Sequence, residues 1–217
     1  MKVLIFIPSS RTIPVSLESI MRLSSGEHEI VYHFERTGDL PGKDKLWENV
    51  TRKYQTGRQL ALDGGYDAMF CVEDDQIVPA NALLALDALQ TDIAYGLCVT
   101  RRDPHLWSAT IVCGPDDNDY VSYDMRPDAM REAWNRVIPV IGCGLYCTLI
   151  RRPVLEAIPF EMRGTRCCDF YFAYDAHKAG YEQLCDTRVL CGHVTEFGMV
   201  VWPDGEWRYR VEEAVTA

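Results

Sequence analysis

Three consecutive carboxylates, Glu73, Asp74 and Asp75, stand in the stretch FCVEDDQIVP between two apolar runs. Strands disfavour acids, and like charges packed together repel. Either water at a sharp turn or a cation must repay that cost. A solvated turn carries no chemistry. A divalent-cation site does, because hard Mg2+ or Mn2+ takes carboxylate oxygens and commonly stays bound through one or two of them plus substrate phosphates. Strand periodicity through the triplet predicts Glu73 and Asp75 on one side and Asp74 on the other.

The elements that must hold these acids follow from the surrounding pattern. Residues 2–7 are almost continuously apolar and β-branched, which predicts a strand buried on both faces. Pro14 opens a predicted helix with Leu17, Ile20 and Met21 on one face. Residues 29–34 read as a second strand, and the Gly and Pro residues of 35–45 as a loop. Leu46, Val50, Tyr54, Gly57 and Ala61 recur at helical spacing, although Gly57 weakens an unbroken helix. Residues 66–72 form a further buried strand that ends at the acidic triplet. A short helix after Pro79 and a strand over 92–99 complete a β-α-β-α-β-α-β rhythm. That rhythm argues for an α/β fold with a mostly parallel, Rossmann-like central sheet flanked by helices. Ligands of such sheets gather beyond the C-terminal ends of the strands, where the triplet falls.

The second half is more mixed. One strand candidate, Trp107–Cys113, lies among polar segments; a strand, a Gly-x-Gly turn, another strand and a short helix follow over 137–160. A helix over 170–179 and a strand over 181–186 precede VLCGHV. With no linker-like boundary or repeat, residues 1–217 are expected to form one domain, 1–100 and 101–217 being its halves.

Composition narrows the partners. Hydrophobic residues are 47% and charged residues 25% of the 217, ordinary for a folded domain. A net charge of -10 with no basic tract disfavours general binding to nucleic acid or anionic membrane. The apolar run near the N-terminus is too short for a signal peptide, and no stretch is long enough to span a bilayer. Nine scattered cysteines, several in strand-like runs, suit buried thiols in a reducing compartment, hence a cytoplasmic location.

Three blocks together resemble the family 2-like glycosyltransferases of GT-A fold: DAMFCVEDDQIVPANALLAL, VIGCGLYCTLIRRPVLEAIPF and DFYFAYDAHKAGYEQLCDTRVLCGHV. They are similar to that family's Asp-x-Asp strand and following helix, its Gly-x-Gly strand, and its acceptor-side helix with a late histidine. The likeness covers most of residues 1–195 and implies transfer of a sugar from a UDP- or GDP-linked donor to an acceptor hydroxyl, with Mn2+ or Mg2+. It implies Asp75 and His193 as metal ligands, with Glu73 either a further ligand or a contact to the donor sugar or ribose. Asp74 and the first loop, Pro8, Ser9, Ser10 and Arg11, fall on the donor side, and Gly142 and Gly144 on the acceptor side. Asp169 matches the general base and Asp175 is the fallback; a helix N-cap is the structural alternative for Asp169. The chain has Cys168-Asp169 where the family often has Glu-Asp. The family's Arg-Asn pair has no clean match; Arg52, Lys53 and Arg58 stand in that region. Two other readings remain. One is a non-catalytic nucleotide-sugar or glycan-binding protein on the same fold. The other is a zinc module built on Cys167, Cys168, Cys185, Cys191 and His193, whose spacing lacks paired C-x-x-C hooks.

Overall fold

The computed structural model describes residues 1–36, 40, 42, 45–100, 107–109, 112–115, 121–123, 131–163, 167–204 and 209–213, with 112–115, 121–123, 209–210 and 213 by backbone alone. The first half runs β1 (Lys2–Pro8), α1 (Pro14–Met21), β2 (Glu29–Glu35), α2 (Leu46–Asp63), β3 (Ala68–Val72), β4 (Gln76–Ile77), α3 (Ala82–Asp87) and β5 (Ile93–Leu97). The second half begins with β6 (Val112–Pro115), β7 (Val121–Tyr123), β8 (Val137–Pro139), β9 (Cys147–Arg151), α4 (Arg152–Ala157) and α5 (Cys168–Lys178). It ends with β10 (Gln183–Leu190), β11 (Gly192–Val194), β12 (Met199–Pro203) and β13 (Tyr209–Glu213). The rhythm read from the first half is therefore present. Of the predicted strand Trp107–Cys113, residues 110 and 111 lie outside the described residues; Trp107 makes an isolated bridge to Val99. Much of the predicted loop over 35–45 also lies outside them.

The main sheet has the order β2-β1-β3-β9-β5-β10-β8. Strands β2, β1, β3, β5 and β10 run one way, and β9 and β8 run against them. The alternating side chains of the central strands feed two cores. Leu4, Phe6, Met69 and Cys71 pack with Tyr54 and Ala61 of α2, Val154 and Leu155 of α4, and Phe172 and Ala176 of α5. Val3, Ile5, Ile7, Ala68, Phe70 and Val72 pack with Ile20 of α1 and Leu83 and Leu86 of α3. Burial on both faces explains why β1 and β3 read as continuous apolar runs. No helix of the described residues is long and apolar enough to cross a membrane.

Two helices depart from the expected faces. In α1, Ile20 is buried but Met21 is 52% exposed. The helix instead turns Ser16 inward, where its hydroxyl donates to the Gln76 carbonyl at 2.5 Å. In α2, Gly57 does not break the helix. A Cβ there would stand 2.7 Å from the Phe6 ring, so glycine is what lets α2 lie close against β1.

A second sheet, β13-β12-β11-β4, is antiparallel. Its link to the first matters for the site. Strand β4 follows the acidic triplet directly and pairs with β11, setting Gln76 opposite His193. The Val194 amide donates to the Asp75 carbonyl at 2.8 Å.

Candidate functional site

The triplet does not continue the strand. After Val72 the chain turns, and the Gln76 amide donates to the Glu73 carbonyl at 3.1 Å. Strand alternation therefore stops before it can send Asp74 to the far side. All three acids line one cleft of about 460 Å3, together with Pro8, Ser10, Lys53, Tyr146, Asp169 and His193.

Asp75 and His193 are both buried, at 7% and 4% exposure, and Asp75 Oδ1 lies 3.4 Å from His193 Nε2. The β4–β11 pairing brings together two residues far apart in sequence. His193 Nδ1 lies 2.8 Å from the Val99 carbonyl oxygen. A carbonyl only accepts, so Nδ1 carries a proton, and Nε2 is the ring nitrogen turned to Asp75. A ring held through Nδ1–H by a backbone carbonyl is the arrangement in which Nε2 can serve as a metal ligand. Asp75 Oδ2 also lies 3.4 Å from Arg11 Nη2, and Asp75 Oδ1 accepts from Gln76 Nε2 at 3.3 Å. Among the described residues no group of three or more His, Cys, Asp or Glu is gathered as a metal cluster. Asp75 and His193 could supply two ligands to a Mn2+ or Mg2+ ion, and substrate oxygens would have to complete the shell.

Glu73 points toward α2, where the Tyr54 hydroxyl donates to its Oε1 at 3.1 Å. Loss of hydration, then the neighbouring Asp75 and Asp169, push the Glu73 carboxyl well above the usual carboxylate range. Asp74 binds the first loop: its Oδ2 accepts the amides of Ser10 at 2.7 Å and Arg11 at 3.0 Å. Within that loop, Pro8 and Ser10 line the cleft, while Ser9 is buried and its hydroxyl donates to the Arg11 carbonyl.

Asp169 lies in the first turn of α5, but the N-cap position is Cys167, with no side-chain capping bond. The Phe170 amide donates to Asp169 Oδ1 at 2.7 Å. Burial raises the Asp169 pKa, and hydrogen bonds from the Cys167 thiol and the Phe170 and Asp169 amides offset part of that. Stabilisation of the anion by the helix N-terminus, the simplest expectation for this position, is thus outweighed by lost hydration. Asp175 is engaged by the Arg163 guanidinium, Nη1 to Oδ1 at 3.0 Å and Nη2 to Oδ2 at 2.6 Å.

Gly142 and Gly144 answer close approaches. A Cβ on Gly142 would stand 2.5 Å from that of Ala173, and one on Gly144 would stand 2.0 Å from the Tyr146 ring. Of the basic residues of α2, Lys53 lines the cleft and its Nζ donates to the Ser9 carbonyl at 3.1 Å. Arg58 instead binds the Leu155 and Glu156 carbonyls at the end of α4. The same face of α2 that buries Tyr54 and Ala61 reaches open space at its N-terminal end, where Leu46, Trp47 and Val50 line the cleft. Helical spacing alone reads such residues as core. The cysteines of the zinc reading divide between the two faces of the sheet: Cys168 and Cys185 in one core, Cys191 in the other. The eight cysteines whose side chains are described are free thiols.

No protein-family model and no curated protein sequence matches the chain. Solved structures do. A197 from STIV aligns with 100% of this chain and 97% of its own, at a TM-score of 0.65 and 18% identity. GalNAc-T7, a glycosyltransferase solved with UDP, GalNAc and Mn2+, aligns with 88% of this chain at a TM-score of 0.54 and 12% identity. The chain spans 43% of that protein's length. The fold is GT-A-like. At these identities the likeness carries the fold and nothing further.

Proposed function

We propose that the chain is a divalent-metal-dependent glycosyltransferase, similar to family 2, that moves a sugar from a UDP- or GDP-linked donor to an acceptor hydroxyl. One observation carries this reading: Asp75, His193 and Asp169, distant in sequence, line a single cleft at the end of the central sheet of a GT-A-like fold. The first half, 1–100, supplies the donor side through Pro8, Ser10, Lys53 and the acids of the triplet, and the second supplies His193 and Asp169 as part of the same unit. The free thiols suit a reducing compartment such as the cytoplasm.

Bound at Asp75 and His193, Mn2+ or Mg2+ would neutralise charge on the departing diphosphate. The remaining work falls to the chain. The first loop, pinned by Asp74, offers the Ser10 hydroxyl to the nucleoside. Lys53 sets a cation beside the phosphates. Asp169 accepts the acceptor's hydroxyl proton as the new bond forms at the anomeric carbon and the bond to the diphosphate oxygen breaks. Products are the glycosylated acceptor, the nucleoside diphosphate and protonated Asp169. A pKa raised by burial makes this carboxylate a stronger base than a solvent-exposed aspartate.

A screen of UDP- and GDP-sugars with Mn2+, reading release of the free nucleoside diphosphate, tests the reading. Donor hydrolysis dependent on Asp169 is expected. Nucleotide-sugar binding with no turnover under any acceptor mixture would favour a non-catalytic binding protein instead.

A further inference from the structure

Tyr146 was not singled out by motif or spacing, yet the site is built around it. It lies immediately before β9, half-buried, and lines the cleft. Three contacts fix its place. Its carbonyl accepts the Glu73 amide at 3.4 Å. Its ring lies 5.4 Å from that of His193, centroid to centroid, tilted by 55°. The absence of a side chain at Gly144 gives the ring its seat, since a Cβ there would come within 2.0 Å of it. The phenol oxygen, by contrast, has no hydrogen-bond partner among the described residues. The cleft is the open space that this residue lines.

We propose that Tyr146 recognises the transferred sugar, its hydroxyl donating a hydrogen bond to a sugar oxygen of the donor. This rests on the nucleotide-sugar reading above. The argument is one of position. The transferred sugar must sit between the leaving diphosphate, at Asp75 and His193, and the base, Asp169. The Tyr146 ring lies against His193, its carbonyl holds the Glu73 amide, and it lines the same cleft as Asp169. A phenol carries one O–H and can donate it to a sugar oxygen. A phenol presenting one O–H to a polyhydroxylated ligand is a means of selecting among sugars, since a hydroxyl that ligand binding takes from water and leaves unmatched is costly.

Calorimetric titration with UDP, GDP, UDP-glucose, UDP-N-acetylglucosamine and GDP-mannose in Mn2+ tests this, using wild type and Tyr146→Phe. Phenylalanine keeps the ring against His193 and Gly144 and removes the hydroxyl alone, so thermal stability should match wild type. For the sugar nucleotide that wild type binds most tightly, Tyr146→Phe should bind about 3- to 10-fold more weakly, the worth of one hydrogen bond. Its affinity for the corresponding UDP or GDP should be unchanged. Unchanged affinity for both ligands, or equal loss for both, would overturn the assignment of Tyr146 and leave the functional reading standing. No binding of any of the five by wild type would overturn both.

Discussion

On the proposed reading Asp169 carries the proton-transfer step, and its surroundings make that assignment testable at the level of one atom. Asparagine in its place keeps an oxygen for the Phe170 amide and removes the basicity. Asp169→Asn is expected to fold normally and to lower transfer by about 100-fold or more, with UDP affinity unchanged. Normal turnover by this variant would remove Asp169 from the mechanism. The pH dependence follows from the direction of its shift. A base acts when deprotonated, and burial raises this carboxyl's pKa. Transfer should therefore rise with pH through an acid limb centred above the value of an ordinary exposed aspartate; a limb at or below that value would contradict it. The stability consequence has the opposite sense. With a folded pKa above the unfolded one, Asp169 contributes stability below the unfolded pKa that is lost as pH rises through the folded one. Asp169→Asn should flatten that decline in a series of melting curves.

At the scale of elements, the continuous apolar runs of β1 and β3 and the triplet's place after β3 were legible in the sequence, because burial on both faces leaves an unmistakable pattern. The turn at Glu73–Gln76 was only one of two readings, because three acids in a row carry no periodicity that chooses a turn over continued strand alternation. The pairing of β4 with β11 was not legible. A two-residue strand is too short to show a pattern, yet it is what carries His193 to Asp75. Helix α2 shows the same limit in reverse. Its apolar spacing was plain, but only packing shows that Tyr54 lies in the core while Leu46, 48% exposed, faces the cleft. Gly57 gives the element-scale test. Alanine there gains about 1 kcal/mol of helix propensity. Its methyl would also enter the Phe6 ring, an overpacking that costs about 1–3 kcal/mol. Gly57→Ala should therefore lower the melting temperature, by about 2–4 °C for each kcal/mol of net loss in a chain of this size. A rise would show that α2 does not lie against β1 as described.

For the whole molecule, the question is how a chain with net charge -10 would bind the proposed nucleoside-diphosphate donor in a cleft lined by four acids, Glu73, Asp74, Asp75 and Asp169. Like charges would exclude such a ligand unless cations intervene. Lys53 and Arg11 supply part of the positive charge, and on the proposed reading a divalent ion at Asp75 and His193 would supply the rest. Affinity should therefore depend steeply on the metal. The most direct measurement is calorimetric titration of UDP and GDP into wild type and Asp75→Asn, each with Mn2+ and with chelator. One of the two nucleotides should bind wild type in Mn2+, at least about 10-fold more weakly when the ion is chelated or Asp75 is replaced. Failure of both nucleotides to bind wild type, or binding indifferent to Mn2+ and to Asp75, would contradict the account.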